Sequence, residues 1–444
     1  MIMKTREQMD WKSIYKSRIT TAREAVETIK SGHRVFLSGN CSVPLKLLSA
    51  LVEYAPNLKD VEICHSLVVA GSEYVTPEME GHLRVNSLFI SQNVRAAIQE
   101  GRGDFTPILL SEFPLLFSRG ILPLDVAMVH LSPPDSHGYC TFGVEPGLTR
   151  NAALSAKFII AEINPRMPRT LGNTYIHVNK IHRIVLVDYP LPELNMTEEG
   201  SPEITEKIAQ HITEKIPDGA TLQAGIGSIP EAVFKYLKDK KDLGVHAELI
   251  CDAIIDLVES GVITGARKTL HPGKIVGGFL LGTKRLYDWS DDNLLIELLP
   301  TEYVNNPYVI GQNYRMVAIN SALELDLTGQ ICSDSIGPKL YSGVGGQLDF
   351  IYGSSLSEGG MPIIALPSTS YLRDGTTISK IVPMLKQGAG VVTTRNHVHY
   401  VATEYGMVDL YGKTIRQRAQ ALISIAHPDF RKDLERQAKK LLYF

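Results

Sequence analysis

The sequence predicts an α/β protein of two related open domains, each built on a largely parallel sheet, with one domain an internal duplicate of the other. Three observations carry that prediction. Short β-branched or aliphatic runs alternate with longer segments of helical period. A stretch rich in proline, acids and turn formers divides the chain, and motifs recur in the same order on both sides of it.

The bounds come from composition. With 444 residues, 44% of them hydrophobic and 21% charged, the chain has enough apolar content for two or three domains with full cores and too much to stay disordered. A formal net charge of -3 gives no general basic bias, so a nucleic-acid partner held by many phosphate contacts is not expected. No apolar run approaches the roughly 18 to 20 residues that span a bilayer. The opening Met1-Ile-Met-Lys-Thr-Arg-Glu-Gln8 lacks the apolar centre of a signal peptide, so the expectation is a cytoplasmic protein with no membrane partner. Cys41, Cys64, Cys140, Cys251 and Cys332 are odd in number, scattered and without a Cys-x-x-Cys pair. They read as buried thiols rather than a disulfide framework or a structural zinc site.

Taken in order, Arg34-Val-Phe-Leu37 reads as a strand and Val43 to Tyr54 as an amphipathic helix. Ile181-His-Arg-Ile-Val-Leu-Val187 is the last strand before Asp188-Tyr-Pro-Leu-Pro-Glu-Leu-Asn-Met-Thr-Glu-Glu-Gly-Ser-Pro202. The domains are therefore expected at 1–188 and 203–444, with 189–202 as the linker. Beyond it, Ile229 to Asp239 has helical period and Met361-Pro-Ile-Ile-Ala-Leu366 is a strand.

The duplication shows as paired motifs. Ile29-Lys-Ser-Gly-His-Arg-Val-Phe-Leu-Ser-Gly39, followed by Pro44 and a helix, matches Ile216-Pro-Asp-Gly-Ala-Thr-Leu-Gln-Ala-Gly225, followed by Pro230 and a helix. Ser87-Leu-Phe-Ile-Ser91 and then Pro107-Ile-Leu-Leu-Ser-Glu-Phe-Pro114 parallel Gly277-Gly-Phe-Leu-Leu281 and Leu294-Leu-Ile-Glu-Leu-Leu-Pro-Thr-Glu302. Val129 to Gly138 corresponds to Asn320 to Gly329 in the same way. Most informative is Gly244-Val-His-Ala-Glu-Leu-Ile-Cys-Asp252, whose counterpart Glu62-Ile-Cys-His-Ser-Leu-Val68 has Ser66 where the second copy has Glu248.

Chemistry gathers in three stretches of the second copy. Gln223-Ala-Gly-Ile-Gly-Ser-Ile-Pro230 ends a strand with two glycines and opens a helix, a place where free amides and the helix dipole can receive an anion. It is not the dinucleotide fingerprint, and a structural turn has the same pattern. Glu248 sits in an apolar strand, where burial raises a carboxyl pKa; either a salt bridge or a reaction accounts for it. Ser342-Gly-Val-Gly-Gly-Gln-Leu-Asp-Phe350 packs three glycines ahead of an amide and an acid. That loop can aim backbone amides at developing negative charge, or be a plain turn. His397 and His399 have no third metal ligand nearby and read as alternating strand residues.

Together these blocks resemble the acetyl-CoA hydrolase/transferase family, the CoA-transferases that use a glutamate nucleophile. The resemblance runs from about Trp11 to Arg431 and includes Gly101-Arg-Gly-Asp-Phe-Thr-Pro107, Ser132-Pro-Pro-Asp-Ser-His-Gly-Tyr139, Glu162-Ile-Asn-Pro165, Gly343 to Phe350, Thr403-Glu-Tyr-Gly406 and Ala421-Leu-Ile-Ser-Ile-Ala-His-Pro428. It implies a CoA-transferase-like fold. It also implies that Glu248 is the nucleophile, that Gly225, Ile226, Gly227, Ser228 and Ile229 form the CoA-binding loop, and that the Gly346 amide serves the oxyanion. Ser342 and Gly346 are implied beside bound CoA.

By the same resemblance CoA and acyl-CoA are substrates rather than tightly bound cofactors, neither metal nor ATP is needed, and a homo-oligomer, a dimer, is expected. The likeness is greatest to members that act on 4-hydroxybutyrate, which makes that acid the expected acceptor; an acyl-CoA hydrolase and a non-catalytic CoA sensor are the alternatives. Three places depart from the family pattern. His-Thr-Glu becomes His246-Ala247-Glu248, Asp-Gly becomes Asp252-Ala253, and the lysine-rich segment of relatives becomes Ser370 to Thr377.

Overall fold

A computed structural model describes residues 11–194, 201–225, 227–372 and 374–443. The first half contributes the strands Arg34–Leu37 (β1), Val61–His65 (β2), Leu83–Ser87 (β3), Asp104–Phe105 (β4), Val126–Leu131 (β5), Phe158–Ile163 (β6) and Arg183–Leu186 (β7). Their order is β4-β3-β2-β1-β5-β6-β7, and every pair is parallel. The second half contributes Thr221–Ala224 (β8), Gly244–Ile250 (β9), Ile275–Leu280 (β10), Ile296–Leu298 (β11), Met316–Ser321 (β12), Met361–Ala365 (β13), Tyr400–Thr403 (β14) and Gly406–Asp409 (β15). Their order, β11-β10-β9-β8-β12-β13-β14-β15, repeats the first with one more strand. Only that last strand runs antiparallel to its neighbour.

The duplication anticipated from motifs is thus a duplication of topology. It also holds at the level of register. Arg34, which opens β1, pairs with Glu62, and Thr221, which opens β8, pairs with Gly244. Counting equally far along β2 and β9 reaches Ser66 in one copy and Glu248 in the other. The motif Ser87 to Ser91, paired in sequence with Gly277 to Leu281, begins at the last residue of β3 and runs on beyond it, whereas its partner lies largely within β10. Beyond that strand Phe89 packs against Gly343 of the second half.

Parallel strands covered on both faces are apolar throughout, and β5 and β10 are buried along their whole length. The largest apolar cluster crosses the two halves, joining Phe36, Leu131 and Leu148 with Leu222, Leu249 and Leu280. Backbone hydrogen bonds follow it: Leu280 donates to Val144 and Asn173 to Leu298, each at 2.8 Å. Gly147 approaches β10 so closely that a Cβ there would stand 2.5 Å from the Gly278 carbonyl. After β7, the Tyr189 hydroxyl receives the Leu45 amide and donates to Glu162, and the Leu194 amide bonds Gly282. Residues 195–200 of the expected linker lie outside the described residues, and a helix begins at Pro202. The five cysteines are buried and unpaired, as expected from their spacing.

In each sheet the chain reverses its direction of travel between two central strands, β1 and β5 in one and β8 and β12 in the other. Loops beyond the carboxyl ends of such strands diverge and leave a crevice, which is where open parallel sheets hold ligands. The glycine loop from Gly225 leaves the end of β8, and Glu248 lies near the end of the adjacent β9.

Candidate active site

Strand alternation puts His246 and Glu248 on one face of β9 and Ala247 and Leu249 on the other. His246 is buried, and its Nε2 donates to the Val304 carbonyl at 2.8 Å. Burial pushes its pKa down to about 3, so the ring is neutral. The bond anchors the short helix Thr301–Val304, and the next residue, Asn305, presents its side chain to Glu248. Asn305 Nδ2 donates to Glu248 Oε2 at 3.0 Å. Burial raises the Glu248 carboxyl from its ordinary value of 4.5 to about 7, with the Asn305 bond pulling the other way. No lysine or arginine pairs with it among the described residues, so the salt-bridge reading of this acid does not hold.

Gly346 meets the same carboxylate from across the site. It caps the helix Gln347–Leu356 with φ -97, a conformation open to any residue, so its backbone does not require glycine. Space does. A Cβ at Gly346 would lie 1.8 Å from Glu248 Oε2 and 2.3 Å from Asn305 Nδ2. The helix that follows adds the positive end of its dipole next to the carboxylate.

The loop ahead of Gly346 is held from the first half. A Cβ at Gly343 would fall 2.7 Å from the Phe89 ring, so this ring packs directly on the glycine backbone. The Leu110 amide donates to Gly345 at 3.0 Å. Arg95 lies over the Tyr341 ring at 3.7 Å and gives its Nε to the Tyr341 carbonyl at 2.7 Å. Ser342 is half-buried, its amide bonded to the Asp334 carbonyl. Asp349, in the first turn of the helix, accepts from the Ser111 hydroxyl at 2.8 Å and the Ser111 amide at 3.1 Å.

Of the expected anion loop, Gly225 donates its amide to the Ile319 carbonyl at 2.9 Å beside β12, while Ile226 lies outside the described residues. Gly227 opens the helix Ser228–Lys235 with φ 137, a backbone state that side chains rarely enter. Ser228 is half-buried and Ile229 buried. Gly225 lines a small, partly open pocket with Pro230, Glu231, Phe234, Leu249, Cys251 and Leu281. The structure therefore brings Glu248 and Gly346 into direct contact and sets the Gly225 loop one strand away.

The departures from the family pattern have plain surroundings. Ala247 is buried on the face of β9 turned away from Glu248, and Asp252, ahead of Ala253, accepts from the Thr283 amide at 2.9 Å and hydroxyl at 2.6 Å. Ser370 belongs to a hairpin of Thr369–Tyr371 with Thr377–Ser379. His397 and His399 precede β14 instead of alternating within it: His397 stands edge-on to Tyr352 and His399 beside Tyr411. The sequence reading missed Asn305, Ser111 and Phe89. No local pattern marks them, because each reaches the site from a distant segment.

A half-buried carboxylate with a raised pKa, one hydrogen bond, and a glycine backbone at a helix N-terminus beside it has the makings of a nucleophile next to an anion site. Comparison with known proteins places the chain in a family. Residues 3–192 match the N-terminal domain, and residues 282–438 the C-terminal domain, of the acetyl-CoA hydrolase/transferase family. The chain is 48% identical to the 4-hydroxybutyrate coenzyme A transferase of Clostridium kluyveri, over 97% of this chain and 100% of that one. It is 47% identical to the succinyl-CoA:acetate/propanoyl-CoA:succinate CoA transferase of Fasciola hepatica, over 92% of this chain and 85% of that one. The solved 4-hydroxybutyrate CoA-transferase of Porphyromonas gingivalis is similar with a TM-score of 0.83 and 39% identity, covering 97% of this chain and 100% of that one. With its two sheets of one topology and a glutamate set against a glycine loop, the chain belongs to the acetyl-CoA hydrolase/transferase family.

Proposed function

We propose that this chain is a CoA-transferase that moves CoA from acetyl-CoA or a similar acyl-CoA to a short carboxylic acid, with 4-hydroxybutyrate the leading acceptor. Glu248 as carboxylate attacks the thioester carbonyl, and the Gly346 amide stabilises the oxyanion. An acyl-glutamyl anhydride forms as the CoA thiolate leaves. The thiolate then attacks the glutamyl carbonyl, giving an enzyme-bound glutamyl-CoA thioester and releasing the first acid. A second acid reverses these steps and departs as its CoA ester, so thioester energy is retained throughout. The Gly225 to Ile229 loop and Ser342 bind CoA, and grip on that remote carrier is realised at the reacting carbonyl. The observation that carries this reading is the close approach of Glu248 to Gly346, where a side chain would have to push the carboxylate aside.

The acceptor acid is proposed to enter between 1–188 and 203–444, the two units on either side of 189–202, against the first unit's Gly39-Asn40-Cys41 loop. Two features support that pocket. Cys41 lies against Tyr287 and Gly282, which follow the strand next to β9. Ser38 Oγ and Asn40 Nδ2 are buried with no hydrogen-bond partner among the described residues, although buried polar groups normally find one. A carboxylate or hydroxyl of the acceptor would satisfy them.

The test is mass spectrometry after incubation with acetyl-CoA and then borohydride, beside a CoA-exchange assay across a panel of acids. The expected result is reductive loss of the Glu248 carboxyl, no such product in Glu248→Gln, and fastest exchange with 4-hydroxybutyrate. Turnover that needs no acid acceptor would identify a hydrolase instead, and unchanged turnover in Glu248→Gln would leave only a CoA-binding role.

A further inference from the structure

Asp349 is a buried carboxyl close to a carboxylate that the proposed reaction must ionise. It occupies the first turn of Gln347–Leu356, where an acid commonly caps the helix, yet both of its oxygens are turned to Ser111 of the first half. Asn305 stands beside both acids: its amide nitrogen donates to Glu248, and its side chain also favours the ionised form of Asp349. Buried Asp349 and half-buried Glu248 therefore flank one buried amide, and like charge on either disfavours ionisation of the other.

The internal duplication supplies an independent comparison. Gly143-Val-Glu-Pro-Gly-Leu-Thr149 enters the first copy's equivalent helix, as Gly343-Val-Gly-Gly-Gln-Leu-Asp349 enters the second. The fold thus accommodates Thr149 where Asp349 stands, and Ser66 where Glu248 stands. Thr149 bonds Glu145 within its own helix turn instead of reaching the other half. Both acids are present in the copy with the glycine site and both are missing from the other, so neither is demanded by the topology.

We propose that Asp349 is a positioning residue for Glu248: fastened from the first half by Ser111, it shares the Asn305 amide with Glu248 and sets a like charge against it. This rests on Glu248 being the nucleophile. Repulsion raises the energy of the free carboxylate and disappears when Glu248 becomes a neutral anhydride or thioester, so it favours formation of the covalent adduct. Both carboxyls are pushed up to about 7, Asp349 by burial first and by Glu248 in addition.

Other titratable groups around Glu248 are engaged elsewhere. His246, on the same strand, is neutral and bonded to Val304. On the helix Thr301–Val304, Glu302 receives Asn151, and the Tyr303 hydroxyl meets His271. The strands flanking β9, Thr221–Ala224 and Ile275–Leu280, carry no ionisable side chain. Lys268 donates to Val245 and Lys274 carbonyls toward the start of β9.

The experiment is the pH dependence of kcat/KM for acetyl-CoA in the full chain, for the wild type, Asp349→Asn and Ser111→Ala. The acid limb reports the free enzyme's essential base. Asp349→Asn is expected to move that limb down by about one pH unit and to slow adduct formation about tenfold. Ser111→Ala, which leaves the aspartate but loosens its tie, is expected to move the limb the same way by a smaller amount. Limbs that stay at the wild-type position in both variants, whatever the loss in rate, would reduce Asp349 to a structural role. Glu248→Gln run alongside separates the two claims: if it retains turnover the nucleophile assignment fails, whereas an inactive Glu248→Gln with unshifted limbs overturns this inference alone.

Discussion

At the scale of the residue, the group proposed to react is one the fold resists charging. The Glu248 carboxyl is raised from 4.5 to about 7 in the folded chain. The stability that its proton confers is full below 4.5 and is lost as pH rises through about 7, because the folded state then binds a proton that the unfolded state has already released. Glu248→Gln removes that liability. It is expected to be more stable than the wild type at pH 8 by up to about 3 kcal/mol, with the difference vanishing near pH 4.5. Denaturant unfolding of both proteins at the two pH values measures it; equal stability at both would mean the carboxyl is solvated. The proposed chemistry has the opposite pH preference, since attack needs the carboxylate, so activity should rise across the range in which this contribution to stability falls.

At the scale of the element, two glycines are required for different reasons. Gly346 has an ordinary backbone and is required by the carboxylate against it, whereas Gly227 is required by its backbone, at φ 137 ahead of Ser228–Lys235. Forcing a side chain into the Gly227 conformation costs about 1–3 kcal/mol of strain, which the loop can relieve by moving. Gly227→Ala is therefore expected to raise KM for acetyl-CoA about tenfold and to leave kcat within about twofold, because the change falls on CoA binding and spares β9. Initial-rate kinetics over acetyl-CoA concentration tests this; a fall in kcat with KM unchanged would remove the loop from CoA binding.

At the scale of the whole molecule, the two halves repeat one topology but do not have separate interiors. The main apolar cluster runs from Phe36 to Ala402, and Phe89, Leu110 and Ser111 of the first half support the loop and helix of the second. Cutting the chain exposes that shared surface to water at roughly 25 cal/mol per Å². Residues 203–444 expressed alone are expected to lack a cooperative thermal transition, while the full chain unfolds in one. Calorimetry of both decides it, and a cooperative transition in the isolated half would mean that the halves merely touch.

The α/β class, the repeated order of motifs, the glycine loops and the carboxylate on a strand where the other copy has serine are legible in the sequence alone. Each is written in neighbouring residues, as an alternation, a turn or a short motif, and so can be recognised without knowing what lies across the chain. Only the tertiary structure decided what surrounds that carboxylate. Asn305 is 57 residues from Glu248, and Ser111 is 238 from Asp349. Phe89 belongs to a motif matched within the duplication, and nothing in that motif shows that it packs on Gly343. Such contacts are set by how the two halves pack together, and packing is a property of shapes brought together in space that no local pattern records.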